Sequence, residues 1–346
     1  MRIVRPIDIL PAALLDCNVP EAPPAAWDNA ATYGLGAVVG ITAGTVVTCY
    51  QSLQAGNVGY DPAASPDWWL AIGVTYLAWN VGATYALGDI VILNHREYES
   101  TQAANTGHAV TDTAWWLDQG PNNRWKMFDI SNSSVTEREL SVEAQVQVTG
   151  RADAVSMLNM VAASVRVEIE TDDDGSIYDE TFGLVSTSGV NDWYEYFFEP
   201  VIRQGDFTLY DLPMNANPRV RVTVTEPSGT ASIGTVLIGQ SRNLGTTIHP
   251  AKLGIQDFSR KDVDDFGNFT IVKRNFARRA TFKVVVEEEA MDAISTLLAT
   301  YRATAIMWLG VDQYTSSWLY GFYRDFSFDL SAPRETILNL ELEGLT

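Results

Sequence analysis

The sequence has little of what enzymes and metalloproteins use for chemistry. It contains only two cysteines and three histidines among 346 residues. Cys17 and Cys49 have no close spacing, so neither a disulfide framework nor a zinc site is indicated. His95, His108 and His249 lack a metal-binding spacing, and no nucleophile elbow or phosphate-binding glycine loop occurs. We therefore expect no catalytic residues, no metal and no cofactor, and we predict that the protein is not an enzyme.

Positive charge is also scarce. Lys and Arg number 23 against 43 Asp and Glu, which gives a formal net charge of −20. Binding to nucleic acid or to an anionic membrane needs clustered cations, so neither partner is expected. No apolar run approaches the roughly 20 residues of a membrane span, and Pro6, Asp8 and Pro11 interrupt the N-terminal apolar stretch. We expect no membrane insertion, no signal peptide and synthesis in the cytoplasm.

The first third of the sequence contains an internal repeat. Residues 26–36 align with residues 78–88, and the match continues to two Trp-Trp-Leu segments. The later matched positions are Tyr50 with Tyr98, Gln54 with Gln102, Asn57 with Asn105, and residues 68–70 with 115–117. Short β runs between Gly, Asn and Asp predict strands at 37–41, 46–51, 89–93 and 97–101. We expect two small β modules, residues 26–74 and 75–120.

Adjacent tryptophans end each copy. Neighbouring residues of a strand point to opposite faces. One ring of Trp68 and Trp69, and one of Trp115 and Trp116, is therefore predicted to fill the module core while the other faces water. An exposed flat ring is a platform for the C–H face of a sugar. The alternative is that both rings are structural, one inside its own module and one against a neighbour.

The second copy carries a recognisable pattern: Trp79, Tyr85, Gly-Asp-Ile-Val at 88–91, Tyr98 and the Trp-Trp pair. This pattern resembles the small chitin-binding-type carbohydrate-binding modules of chitinases and cellulases. The first copy departs from it, because Ala37 stands where the second has Asp89. The resemblance implies sugar contacts at the paired tryptophans and hairpin tyrosines, namely Trp68, Trp69, Tyr50, Trp115, Trp116 and Tyr98.

The remaining two thirds predict a β-sandwich followed by an α+β unit. Period-2 alternation at 140–148, 165–170 and 219–225 predicts half-buried strands, and we expect a jelly-roll-like sandwich over 121–240. In the unit 241–346, strands are predicted at 269–272, 280–286, 305–309, 318–328 and 336–343. A helix with one apolar stripe is predicted after the acidic run 287–289, formed by Ala290, Ile294, Leu297, Leu298 and Tyr301. The predicted fold class is mainly β.

Two segments are candidates for assembly contacts. Residues 1–25 are too rich in proline for a helix, and we expect an extended arm lying along a neighbouring subunit. Its predicted anchors include Ile3, Ile9 and Leu10. The basic run Lys273, Arg274, Arg278 and Arg279 is expected either to form salt bridges between subunits of a homo-oligomer or to be a solvated hairpin.

The layout as a whole resembles tail or baseplate proteins of tailed bacteriophages, most closely over 241–265 and 321–346. The resemblance implies a structural, oligomeric virion protein, with other tail or baseplate proteins as partners and the N-terminal modules directed at host-surface glycan. One alternative is a secreted carbohydrate-active enzyme or its accessory module, which would need an acid–base pair such as Asp179 and Glu195. Another is that the repeats only contact other virion proteins.

Overall fold

The computed structural model describes residues 1–186, 192–194, 202–213, 216–263, 266–311, 314–330 and 335–345. The protein is mainly β, with 55% strand and 7% helix, as the sequence predicts. Within these described ranges, no helix combines the length and the apolar character that crossing a membrane requires.

The strands fall into four groups along the chain. The first group is β1 (Arg2–Pro6) and β2 (Leu14–Cys17). The repeats supply β3 (Val38–Ala43), β4 (Val46–Ser52), β5 (Trp69–Tyr76), β6 (Thr84–Tyr85), β7 (Ile90–Leu93), β8 (Arg96–Ser100), β9 (Asn105–Thr106) and β10 (Trp116–Pro121). The third group is β11 (Thr136–Gln147), β12 (Ala154–Leu158), β13 (Ser164–Thr171), β14 (Gly175–Gly183), β15 (Val185–Ser186), β16 (Ile202–Arg203), β17 (Phe207–Leu209), β18 (Arg219–Ile233) and β19 (Thr235–Asn243).

The fourth group completes the chain. Its strands are β20 (Thr246–Asp257), β21 (Arg260–Val263), β22 (Phe269–Val272), β23 (Phe276–Glu287), β24 (Ile306–Leu309), β25 (Trp318–Asp329) and β26 (Glu335–Gly344). The helix α1 (Met291–Thr300) lies between β23 and β24. Single 3-10 turns occur at Pro11–Ala13, Lys126–Phe128, Glu288–Ala290 and Thr315–Ser317.

Two large antiparallel sheets form the body. One has nine strands in the order β17-β12-β19-β1-β24-β25-β26-β23-β20, and the other has five in the order β14-β13-β18-β11-β2. Their inner faces enclose one apolar cluster, in which Val165, Val222 and Ile238 are buried. The predicted alternation is confirmed in β13 and β18, where every second residue is buried because one face of each strand meets this core.

The helix packs on the C-terminal part of the nine-stranded sheet. Ile294 and Leu298 are buried against Phe282 and Leu340, and the other residues of the predicted stripe pack around them. The hydroxyl of Tyr323 donates a hydrogen bond of 2.9 Å to the backbone oxygen of Leu298. The amphipathic helix is therefore confirmed, and it covers a sheet face that would otherwise meet water.

The N-terminal segment lies elsewhere than expected. Strand β1 is inserted between β19 and β24 of its own chain, with Ile3 paired to Arg242 on one side and to Trp308 on the other. The boundary expected at 240/241 falls inside β19, which belongs to this same sheet. The extended arm was predicted from the local proline-rich composition. Local composition carries no information about partner strands that are distant in sequence, so the pairing of β1 could not be predicted from it.

We predict that Gly239→Ala destabilises the protein by disturbing the centre of this sheet. A Cβ atom at position 239 would clash with the backbone carbonyl of Arg5, whereas one at Gly254 would meet nothing within 4 Å. Overpacking of this kind costs about 1–3 kcal/mol. Urea unfolding should give a lower free energy of unfolding for Gly239→Ala, with Gly254→Ala as the matched control. Equal stability of the two variants would contradict the placement of β1.

Candidate functional site

The two modules have the same design. Module 1 is the three-stranded sheet β3-β4-β5, and module 2 is the three-stranded sheet β10-β8-β7 with the short pair β6-β9 beside it. The four strands that the sequence predicted, observed as β3, β4, β7 and β8, begin and end within two residues of their predicted bounds. Such small sheets bury little surface, so large aromatic side chains have to supply most of each core.

One indole of each pair forms that core. Trp69 and Trp116 are each 2% exposed. Trp69 lies edge-to-face against Tyr33, and Trp116 lies in the same way against Tyr85; both ring pairs have centroids 5.2 Å apart and planes at 70°. Sealed rings cannot touch a ligand, so the structure removes Trp69 and Trp116 from the set of sugar contacts that the resemblance implied.

Hydrogen bonds fix these buried rings. The indole Nε1 of Trp69 donates to the backbone oxygen of Tyr60 at 2.8 Å, and that of Trp116 donates to the backbone oxygen of His108 at 3.0 Å. The Tyr85 hydroxyl accepts a bond of 2.7 Å from the backbone N–H of Asn80. A misplaced ring would leave these buried polar groups unpaired, which makes the ring position specific.

A buried asparagine holds the turn before each tryptophan pair. The side-chain amide of Asn57 donates to the Ser52 hydroxyl at 3.0 Å and to the backbone oxygen of Trp68 at 3.3 Å. Asn105 makes the same two bonds, at 3.0 Å and 3.3 Å, to Ser100 and Trp115. The repeated bonds set the backbone of the outer tryptophan in both modules.

The outer indole of each pair is half-buried and stacked. Trp68 lies parallel to Tyr60, with ring centroids 4.0 Å apart and planes at 11°. Trp115 lies parallel to His108, with centroids 3.9 Å apart and planes at 11°. The prediction is therefore confirmed for the buried ring of each pair, whereas the other ring is half-buried, with one face covered by Tyr60 or His108 rather than open to water. Each module presents a rigid aromatic stack at its surface.

The stacking partners Tyr60 and His108 were missed in the sequence. They occupy equivalent positions in the two copies, at the same spacing that relates Tyr50 to Tyr98. The signal was therefore present in the alignment, although a tyrosine in one copy stands opposite a histidine in the other. Both side chains have flat rings, which explains how different residues make the same stack.

The hairpin tyrosines are partly buried. Tyr50 stands opposite Val39, and Tyr98 opposite Val91, in equivalent positions of the two sheets. In module 2, Tyr98 packs against the buried cluster that contains Val91 and Trp116. Each tyrosine therefore supports its module and keeps part of its ring at the surface.

Charged side chains fix the modules on the body. The Glu21 carboxylate is 2.6 Å from His95 Nδ1 and accepts a 2.6 Å hydrogen bond from the Asn122 amide. Burial raises the pKa of Glu21, but these hydrogen bonds outweigh it and hold the pKa below its ordinary value. The buried Arg138 donates to Gln51 in module 1 at 2.6 Å and to the backbone oxygen of Asn18 at 3.1 Å. The body thus presents both stacks from fixed positions.

The candidate assembly residues separate into two classes. Ile3 is fully buried in β1, so it cannot anchor a neighbouring subunit as expected. Arg278 pairs with Asp206 at 2.7 Å, and Arg279 with Glu343 at 3.6 Å, both inside the chain. The others remain available at the surface to different degrees: Ile9 is half-buried, Leu10 is 65% exposed, and Lys273 and Arg274 are exposed.

The carboxylates considered for glycoside hydrolysis can be examined only in part. Asp179 accepts two hydrogen bonds from Arg166, at 2.8 and 2.7 Å, and this guanidinium holds the pKa of Asp179 below its ordinary value. A carboxyl held ionised is a poor general acid. Glu195 lies outside the described residues.

Both cysteines are free thiols, and burial raises the pKa of Cys49 to about 11.

Comparison of the chain with protein-family models, with curated proteins and with solved structures finds no match.

We predict that the two indoles of module 2 contribute unequally to the free energy of unfolding. Trp116→Ala removes the buried ring and should lower the free energy of unfolding by about 3–5 kcal/mol if the module unfolds with the body. Trp115→Ala removes a half-buried ring and should cost much less. Thermal unfolding followed by tryptophan fluorescence compares the two variants. Similar losses would mean that both rings are structural.

Proposed function

We propose that this protein is an oligomeric structural component of a bacteriophage tail, in its distal or baseplate region, whose N-terminal modules bind host-surface glycan. The observation that supports it best is the repeated aromatic stack, Trp68 on Tyr60 and Trp115 on His108. The location in the tail rests on the resemblance described from the sequence.

The stack suits a sugar because the half-buried indole is flat, apolar and already ordered, and the proposed contact is with the part of the ring that Tyr60 or His108 leaves uncovered. The C–H face of a pyranose can lie on such a ring, and aromatic contacts of this kind contribute about 0.5–1.5 kcal/mol. A ring held in place by a second ring and a fixed backbone loses little conformational entropy on binding. A single stack would bind weakly and reversibly.

Repetition compensates for weak single sites. The two modules are joined to one body by the Glu21 and Arg138 contacts, so a glycan engaged at one stack raises the effective concentration at the other. Several subunits in one particle would multiply this effect. Multivalency can strengthen binding by about 10²–10⁴ without any new contact.

A second candidate function is that the modules contact other virion proteins and bind no sugar. It is favoured by the first module, where Ala37 replaces the Asp89 of the second copy. Asp89 accepts a hydrogen bond of 2.7 Å from the backbone N–H of Ala86, and Ala37 cannot provide an equivalent acceptor. The corresponding turn of module 1 is therefore not held by a side-chain hydrogen bond at position 37.

Glycan binding should depend on the outer indoles. We expect Trp68→Ala and Trp115→Ala each to weaken binding of the full chain to immobilised chito-oligosaccharides or bacterial envelope polysaccharides several-fold. The double variant should bind more weakly than either single variant because neither stacked indole then remains. The matched control is Trp193→Ala, which removes a 77% exposed indole outside the modules. Binding unchanged in the double variant would contradict the proposed sugar site.

The location in the particle needs its own test. We expect mass spectrometry of purified virions to detect the chain, and immunogold electron microscopy to label the distal end of the tail. Labelling of the capsid, or recovery of the chain only outside the particles, would contradict the tail assignment. Virion labelling without any glycan binding would favour the second candidate function.

A further inference from the structure

The hairpin between β20 and β23 carries no buried core of its own. We use the name apolar hairpin for residues 253–263 and 266–276. Strand β21 pairs only with β22, in a two-stranded sheet separate from the two large sheets. All eight residues of these two strands are exposed. Isolated two-stranded hairpins are marginally stable in water, so this one has reason to pack on something else.

One face of the apolar hairpin is formed by large hydrophobic side chains. Val263 pairs with Phe269, and Lys261 with Ile271, which places these four residues on the same face. Phe269 is 60% and Ile271 65% exposed. Further exposed apolar residues of the hairpin are Leu253, Ile255, Phe258, Phe266 and Phe276. Concentrations of exposed apolar side chains on this scale mark interaction surfaces.

The same hairpin carries exposed cations at Lys273 and Arg274, and the pKa of its Asp257 is lowered by hydrogen bonds from Ser259 and by the charge of Lys273. Within the described part of the chain, no carboxylate lies within salt-bridge distance of Lys273 or Arg274. Both residues are exposed, and Lys261 lies 4.5 Å from the centre of the Phe269 ring. An apolar surface edged by these exposed cations fits an acidic protein partner. A chain with a net charge of −20 is itself such a partner.

A complementary acidic surface lies at the opposite end of β23. Glu287, Glu288, Glu289 and Asp292 are exposed around the start of α1, and in the described chain none of them has an ion-pair partner. Strand β23 has 12 residues, which corresponds to about 40 Å when extended. The apolar hairpin therefore cannot reach the acidic cluster of its own molecule, whereas it can reach that of a second copy.

Pairing through the strand edge is disfavoured. Strand β20 is one edge of the nine-stranded sheet, but its register with β23 breaks between Ile248 and Lys252, around Pro250. Bulges, prolines and lysines protect a sheet edge from adding another strand. The contact is therefore expected through side chains of the hairpin.

We propose that the apolar hairpin of one molecule packs on the acidic start of α1 in a second copy of this chain. Lys273 and Arg274 face the carboxylates, and the apolar face around Phe269 and Ile271 is buried beside them. The two patches differ, so the contact is head-to-tail, and repetition closes a ring when the rotation permits. This inference rests on the homo-oligomeric part of the proposed function and identifies the surface.

Self-association of the full chain tests the proposal. Sedimentation velocity over a concentration series should show oligomers that dissociate as salt is raised. We expect Ile271→Ser and Arg274→Glu each to weaken self-association about tenfold or more. Leu87→Ser, which changes a 67% exposed residue of module 2, and Arg151→Glu, which changes an exposed residue of the body, are matched controls that should have no effect.

A charge exchange tests the acidic partner surface. The double variant Lys273→Glu/Arg274→Glu should be monomeric, and mixing it with Glu288→Lys/Glu289→Lys should restore oligomers. A wild-type chain that stays monomeric, or oligomers insensitive to the hairpin variants, would overturn the proposal. Oligomers lost through the hairpin variants but not restored by the exchange would overturn the acidic cluster as its partner. Virion labelling of the wild-type chain and the effect of Trp68→Ala and Trp115→Ala on glycan binding are measured independently of these variants, so the two proposals can fail separately.

Discussion

An edge-to-face contact between a tyrosine and a buried tryptophan makes each N-terminal module possible. Tyr33 with Trp69, and Tyr85 with Trp116, supply most of the apolar interior of a sheet that has only three strands. Because these rings fill the interior, the neighbouring indoles lie at its margin, where Trp115 packs against the buried cluster of module 2. Trp68 and Trp115 can remain at the surface, stacked and ordered, without loss of the fold.

The sequence was most informative where structure is local or repeated. The alternation of Val220, Val222 and Val224 predicted a half-buried strand, and the spacing from Ala290 to Tyr301 predicted the helix stripe; both are observed. Strand alternation also predicted that one ring of each tryptophan pair is buried, although Trp68 and Trp115 lie in the turns just before β5 and β10 rather than in those strands.

The sequence was least informative where partners are distant. Nothing local to residues 2–6 identifies β19 and β24 as neighbours, so the proline-rich composition around them suggested a free arm. The stacking of Tyr60 on Trp68 and of His108 on Trp115 was missed in the sequence for another reason. The two copies have different residues at this position, and only the flat shape of the two rings is shared. Similarly, the basic run looked uniform in sequence, although Arg278 and Arg279 pair within the chain whereas Lys273 and Arg274 do not pair with described carboxylates.

The position of β1 also has a consequence for biosynthesis. Residues 2–6 are translated about 300 residues before one of their two partner strands, β24, at Ile306–Leu309. The nine-stranded sheet therefore stays open through its middle until most of the chain has been translated. Contacts between residues so far apart in sequence form slowly, and unpaired strand edges invite aggregation in the meantime. Slow translation or a holding chaperone would accordingly affect the yield of this protein more than that of a chain whose neighbouring strands follow one another.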